Sequence, residues 1–354
     1  MAKTRVIGLD IGTTGVRAVE VEFDGGGPAK GAPGRVLRAG FVPLPWGAVH
    51  DGEVAEQATV ASAIKRLWAE QKFTSKEVVI GVGNQRVLVR ELDMPALPPA
   101  QLRAALPFQV EGLIPVAAGD ALLDFYPVSS SVGAEGAQLH GLLVAATAET
   151  VLANTRAVEQ AGLVPTMVDL NAFAVARIQS RSGFGTGVIA FVDIGARVTN
   201  VSIVVDGHPR FVRILPSGGH DVTEALSSSL DIPPQDAERL KREIGIGLAT
   251  AQEDLTAKQI VAEVTTGLVD SVRNTLVYYA SSNPGGAVQQ IVLSGGGSFL
   301  PGLGQYLASA ARVQVVVGEP LVSLPPVKGM DTRSFGADPA TYVVPLGLAM
   351  GVAA

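Results

Sequence analysis

The strongest constraint on this chain is that its opening pattern occurs twice. Val6-Ile7-Gly8-Leu9-Asp10 reads as a buried strand, Ile11-Gly12-Thr13-Thr14-Gly15 as a turn, and residues 16–23 as a returning strand that ends at Asp24-Gly25 before a third strand over 35–42. From Val188 the pattern recurs. A strand ends in Asp193-Ile194-Gly195, a turn follows at Ala196-Arg197, residues 198–205 return, and Asp206-Gly207 leads into a strand over 209–215. Asp-Gly is a favoured two-residue hairpin signal. Asp10 and Asp193 stand 183 residues apart and open the same strand–turn–strand unit. Such a duplication predicts an α/β chain of two similarly folded domains facing each other, and 354 residues suffice for two modest domains.

Composition narrows what those domains do. With 47% hydrophobic residues the chain buries a sizeable core, which excludes general disorder. Lys and Arg number 27 against 33 acids, and no basic run exceeds two residues, so nucleic acid is not the expected partner. The absence of cysteine excludes disulfides, Cys-ligated zinc and thiol nucleophiles, while His50, His140, His208 and His220 are too scattered for a metal cluster. No apolar run approaches the roughly 18–20 residues of a membrane helix, and the N-terminus has no signal-peptide character, so a soluble cytoplasmic chain is expected. The 41 glycines and 22 prolines imply many tight turns between short elements.

Between the copies, residues 53–71 place Ala61, Ile64, Leu67 and Trp68 on one helical face, and 78–82 and 86–92 read as strands. Residues 98–114 have helical spacing, but Pro107 lies inside the pattern and predicts a break or two short helices, because a mid-helix proline costs roughly 3 kcal/mol. A strand over 139–146 and helices over 149–161 and 171–181 follow. The second half carries helices over 221–230, 234–244 and 258–280, a strand at 291–293, a helix over 301–311 and a strand over 313–317. A short apolar helix over 345–354 closes the chain.

The turn residues Gly12, Thr13, Thr14 and Gly15 can aim backbone N–H groups and two hydroxyls at one anion. A strand follows rather than a helix, and no Gly-Lys-Ser/Thr occurs, so this is neither a P-loop nor a dinucleotide fingerprint. One such turn is often an ordinary hairpin; the second Asp-Ile-Gly shifts the reading towards a phosphate clamp shared by two domains. Asp10 and Asp193 at strand ends beside phosphate turns suit magnesium held largely through water, the alternative being that each caps its own turn. Ser294-Gly295-Gly296-Gly297-Ser298 lies between a strand and a helix start, where backbone approaches a ring or phosphate closely. Gly218-Gly219 is a weaker signal. Glu238 and Lys241 share a helix face, as a solvated pair would.

In this order Asp10-Ile-Gly-Thr-Thr-Gly-Val-Arg17, Asp193-Ile-Gly195, Gly218-Gly219, Glu238-x-x-Lys241 and Ser294-Gly-Gly-Gly297 resemble the actin-like ATPase superfamily, which includes actin, sugar kinases, heat-shock chaperones, MreB and FtsA. The resemblance implies two ribonuclease-H-like domains with ATP and Mg2+ in the cleft between them. It makes Arg17 a phosphate contact beside Gly12, Thr13 and Thr14, and Asp10 and Asp193 the magnesium-associated aspartates, with Gly195 in the second turn. It puts Gly218, Gly219, Glu238 and Lys241 on the ribose and adenine side, and Gly295, Gly296, Gly297 and Phe299 in the adenosine loop.

The middle of the chain narrows the match. Val89-Arg-Glu-Leu-Asp-Met-Pro95, Gln109-x-Glu111-x-x-Ile114-Pro115, Leu123-Asp-Phe-Tyr126, Leu143-Val-Ala-Ala146 and Ala161-Gly-Leu-x-Pro165 before Val168-Asp-Leu170 are similar to the PilM family of type IV pilus assembly proteins. That likeness implies a first actin-like domain over 1–85, 165–185 and 338–354, an inserted α+β subdomain over 86–164 of the kind FtsA has, and a second domain over 186–337 with a helical part near 221–285. It implies a peripheral protein at the inner face of the cytoplasmic membrane that takes the cytoplasmic tail of a PilN-like membrane protein, expected in an apolar groove near the junction of the inserted subdomain and first domain. Pilus motor ATPases and further copies of the chain are other candidate partners. An FtsA-like division protein and a small-molecule kinase are the alternatives; FtsA-like chains usually end in an amphipathic helix, and GspL-type secretion proteins continue into a membrane helix. Two features depart from the family. The stretch 25–34 enlarges a tight hairpin into a loop expected to be disordered, and Asn171 stands where Glu is usual for positioning the attacking water, which implies slow hydrolysis unless another group such as Asp169 handles that water.

Overall fold

The computed structural model describes residues 3–133, 136–247, 255–336 and 338–351. The duplication is visible in the sheets. The first has five strands, β1 (Thr4–Gly12), β2 (Gly15–Phe23), β3 (Gly34–Pro43), β6 (Glu77–Val82) and β10 (Val164–Leu170), in the order β10-β6-β1-β2-β3. The second has β11 (Val188–Ile194), β12 (Thr199–Val205), β13 (His208–Leu215), β14 (Gln290–Ser294) and β15 (Gln314–Val317), in the order β13-β12-β11-β14-β15. In both, the first three strands run antiparallel and the remaining two lie parallel to the first strand's other side. This is a two-domain actin-like fold. The short strands β4 (Val49–His50) and β5 (Glu53–Val54) pair with each other just before helix α1 (Gln57–Gln71), which starts four residues later than the sequence pattern suggests.

Two helices fill the space between the sheets. In α4 (Asn171–Arg181) alanines 172, 174 and 176, Val175, Ile178 and Gln179 are all buried, and α9 (Val343–Ala349) is buried throughout. α9 is apolar on every side, as a helix inside a core is, whereas α4 keeps Arg177 and Arg181 on its less buried side. Both pack with Val19, Val21 and Phe23 of the first sheet and with Ile189, Phe191 and Val204 of the second. The last three residues of the expected closing helix lie outside the described residues. Helices α1 and α3 (Ala148–Gln160) cover the other face of the first sheet. Helices α7 (Leu255–Ser282) and α8 (Leu303–Ala311) cover that of the second, while α5 (Gly219–Leu230) and α6 (Pro234–Ile244) pack on the start of α7.

A three-stranded antiparallel sheet, β7 (Val87–Pro95), β9 (Gly136–Thr147) and β8 (Ala121–Gly133), carries helix α2 (Pro99–Gln109). Here the structure corrects one expectation: α2 runs through Pro107 and stops two residues later. Leu102, Leu106 and Val110 are buried against Met94, Phe125 and Leu143. Three such side chains at roughly 1.5–3 kcal/mol each outweigh the proline's cost of about 3 kcal/mol. The loop between β2 and β3 is a second correction, being folded rather than disordered. A 3-10 turn spans Pro28–Lys30, Asp24 N donates to the Pro33 carbonyl, and Gly25, Gly26, Gly27 and Gly31 all take positive φ. The glycines there encode a shape that other residues rarely adopt.

Candidate functional site

Asp10 and Asp193 occupy the same place in their sheets, at the carboxyl end of the first strand. Across the hairpin Asp10 faces Arg17, and Asp193 faces Asn200, so both partners lie seven residues downstream. The Arg17 guanidinium rests 4.5 Å from the ring centre of Phe41 and 6.0 Å from that of Tyr342, which hold it by cation–π attraction. A Cβ on Gly12 would lie 3.9 Å from both Arg17 Nη1 and Asp10 Oδ2, so acid and guanidinium converge under the first turn. Ser294 Oγ donates to Asp193 Oδ1 at 3.0 Å.

The two acids feel each other across the domains. Burial pushes the Asp193 carboxyl up to about 6, with the Asp10 charge adding to the rise and the Ser294 hydrogen bond and Arg17 opposing it. Burial also raises Asp10 above the ordinary carboxylate range, against Arg17. Two carboxylates made reluctant to ionise by burial, Asp193 also by the Asp10 charge, with one shared guanidinium, fit a divalent cation between them. No group of three metal-ligating side chains exists among the described residues, so a magnesium ion here would complete its shell with water and phosphate oxygens, its usual mode.

Three glycine segments pack back to back beside Asp193. Gly219 N donates to the Gly195 carbonyl and His220 N to that of Ala196. A Cβ on Gly219 would come 3.1 Å from Gly297 Cα, and one on Gly295 2.9 Å from Asp193 Oδ1. Gly218, Gly295 and Gly297 have no room for a side chain, whereas a Cβ on Gly296 would meet nothing within 4 Å and point into open space. Phe299 ends the 3-10 turn Gly296–Phe299 with its ring partly exposed. The Glu238–Lys241 pair is not the solvated one expected: the lysine is buried and the acid half-buried. Lys241 Nζ donates to Gly219 O, Thr223 Oγ1 and Glu238 Oε2 at 2.9, 2.9 and 2.6 Å, which uses all three of its N–H groups. Burial lowers the Lys241 pKa against the pull of Glu238. Burial would raise Glu238, but hydrogen bonds from Lys241, Thr223 and Arg242 leave it below its ordinary value. The pair thus fixes α6 against Gly219 and the first turn of α5.

Residues 8–352 match the family described as type IV pilus assembly protein PilM. The chain belongs to that family. Among solved structures it is similar to a PilM–PilN type IV pilus biogenesis complex, with 27% identity, a TM-score of 0.83, and 98% of this chain and 97% of that one covered. Cell division protein FtsA of Neisseria meningitidis serogroup B is 24% identical over 346 residues, 88% of this chain and 83% of that protein. FtsA of Bacillus subtilis (strain 168) is 24% identical over 204 residues, 52% of this chain; the match spans 45%, about half, of that relative's length.

Asn171 begins α4 at the same sheet end as Asp10, because Leu9 pairs with Ile80 and Gly81 with Asp169. Its side chain lies over Gly81 and Gly83, where a Cβ on Gly81 would overlap Oδ1, and that oxygen is buried with no hydrogen bond among the described residues. Asp169, the other candidate for handling water, is tied to Arg177 at 2.9 Å. Between the β4–β5 turn, the segment before β7 and the start of α3, where the sequence reading puts the junction of the first domain and the inserted subdomain, a cavity of about 450 Å³ is lined by His50, Asp51, Glu53, Asn84, Arg86 and Glu149 among others. It is polar, unlike the apolar groove expected there.

Two residues escaped the sequence reading. Asn200 is buried, and its Oδ1 accepts no hydrogen bond among the described residues; superposing the two copies reveals it, seven residues after Asp193 as Arg17 is after Asp10. Trp46, whose ring packs on His220 of the other domain, left no comparable signal in the sequence.

Proposed function

We propose that this PilM-family chain is an ATP-binding assembly protein of the type IV pilus inner-membrane platform, with nucleotide and magnesium between its two domains. The observation that carries this is the convergence of two duplicated turns, each with a buried strand-end aspartate, on one cleft where Asp10, Asp193 and Arg17 interact electrostatically. In this reading Gly12, Thr13, Thr14, Gly195 and Arg17 hold phosphate, and Asp10 and Asp193 hold magnesium, which would offset phosphate charge. The Gly218–Gly219 and Gly295–Gly297 backbones flank the nucleoside, with Phe299 at the rim and Glu238 and Lys241 keeping those glycines in place. Asn171 orients water but is no base at neutral pH, so the nucleotide acts mainly as a structural ligand and turnover falls well below ~1 s⁻¹.

Calorimetry with ATP and magnesium tests the reading. Asp10→Ala is expected to weaken binding by removing a metal anchor, and Gly296→Val by filling open space without a clash inside the protein. Unchanged affinity in both variants rules the clamp out. We further propose that the junction cavity takes the cytoplasmic tail of a PilN-like protein and so recruits the chain to the membrane; no helix among the described residues is long and apolar enough to cross one. A peptide of that tail should bind wild type and lose affinity for Glu53→Arg; equal binding would place the tail elsewhere.

A further inference from the structure

The loop between β3 and β4 reaches from the first domain to the second. Leu44 N donates to the Thr14 carbonyl at 3.1 Å, which fastens the loop to the first phosphate turn. Two residues on, the ring of Trp46 lies 3.8 Å from that of His220, centre to centre and tilted by 44°. His220 belongs to the second domain, in the first turn of α5, and is itself buried. The Arg197 guanidinium, from the second turn, lies 5.7 Å from the Trp46 ring centre and is held by Asp221 at 3.3 Å and Glu224 at 2.7 Å. Beyond the loop, in the turn between β4 and β5, a Cβ on Gly52 would come 3.8 Å from Val198 Cγ2, next to Arg197. Trp46 is nonetheless 59% exposed. A tryptophan that exposed adds little to a core; here its ring joins one domain to the other.

We infer that Trp46, His220 and Arg197 form a clasp that closes the cleft over bound nucleotide and sets how fast the nucleotide leaves. The inference rests on the nucleotide reading above. The loop is anchored at the first turn by Leu44 and touches the second turn and the start of α5 through Trp46, so one short segment links both turns and the helix that carries Gly219. Separating the domains there breaks one aromatic pair and one cation–π contact, and nothing in the phosphate clamp need change first. An aromatic pair of this kind is worth about 2- to 10-fold in an equilibrium or rate.

The test is the release rate of mant-ATP with magnesium, chased with excess ATP, in the full chain. Trp46→Ala and His220→Ala should each speed release about 2- to 10-fold, the double variant should be no faster than the quicker single one, and Trp46→Phe should restore a slow rate. Unchanged release in both single variants, or effects that multiply in the double variant, would overturn the clasp. A second arm needs no nucleotide. The chain has two tryptophans, so Trp68→Phe leaves Trp46 as the sole reporter. In that background His220→Ala should make Trp46 emission about twofold more sensitive to acrylamide, and equal sensitivity with and without His220 overturns the contact. If wild type takes up no mant-ATP, the nucleotide reading fails and with it the clasp's gating role, while the acrylamide arm still decides whether the contact exists.

Discussion

Asp193 is the residue at which stability and the proposed function oppose each other. Its carboxyl titrates near 6 in the folded chain against an ordinary 3.8, so the folded state holds the proton more tightly than the unfolded one. The contribution to stability is then fully present below about pH 3.8 and lost as pH rises through about 6. At pH 7.5, without metal, ionised Asp193 costs on the order of 3 kcal/mol. Asp193→Asn is accordingly expected to stabilise the chelator-treated protein at pH 7.5 while weakening its hold on magnesium and ATP, and the gain should shrink towards zero near pH 4. Urea unfolding of both proteins at the two pH values checks this, and a pH-independent difference would show that the carboxyl is not strained. Asp193 was legible in the sequence because its meaning is local, a strand end followed by Gly195. Asn200 required the two copies to be laid over each other. Trp46 and His220 lie 174 positions apart, and no periodicity joins an exposed loop residue to a helix start in another domain.

Among the elements, periodic ones such as α4 and α6 have the bounds that the pattern indicates, because their apolar spacing and their turn or proline flanks agree. Strands β8 and β10 escaped notice. In β10 Pro165 interrupts the run, and a register shift between Pro165 and Met167 spoils the alternation; β8 carries Pro127 and three consecutive serines. The contact of α4 with α9 is the element-scale joint of the molecule. A Cβ on Gly347 would overlap the Ala174 carbonyl, and Arg177 donates to the Gly347 carbonyl at 2.7 Å while pairing with Asp169. Gly347→Ala should therefore cost about 1–3 kcal/mol through forced separation of the two helices, seen as a lower thermal midpoint. Gly296→Ala, whose Cβ meets nothing, should leave the midpoint nearly unchanged. Equal midpoints for both would show that the helices can part without strain.

For the whole molecule, the duplication means that neither half alone makes the proposed site. Asp10 with Arg17 comes from one sheet, and Asp193 with the glycine segments from the other, so a ligand that bridges them stabilises the assembly of both. A ligand at 100 times its dissociation constant adds about 2.7 kcal/mol to the folded state, and that gain should appear as a raised thermal midpoint with ATP and magnesium. Asp10→Ala and Asp193→Ala lie in different domains, yet each should remove most of the shift, because a bridging ion needs both carboxylates; ATP with chelator should do the same to wild type. The rise should persist through hours of incubation, since Asn171 provides no general base and such a base is typically worth roughly 10²–10⁴-fold in rate. Phosphate release under those conditions is expected to be slow, and Asn171→Glu to quicken it. A midpoint shift that survives in one aspartate variant and vanishes in the other would place the ligand on a single domain and overturn the shared clamp. A wild-type shift that decays as phosphate appears, equally fast in Asn171→Ala, would show that water is activated elsewhere in the cleft.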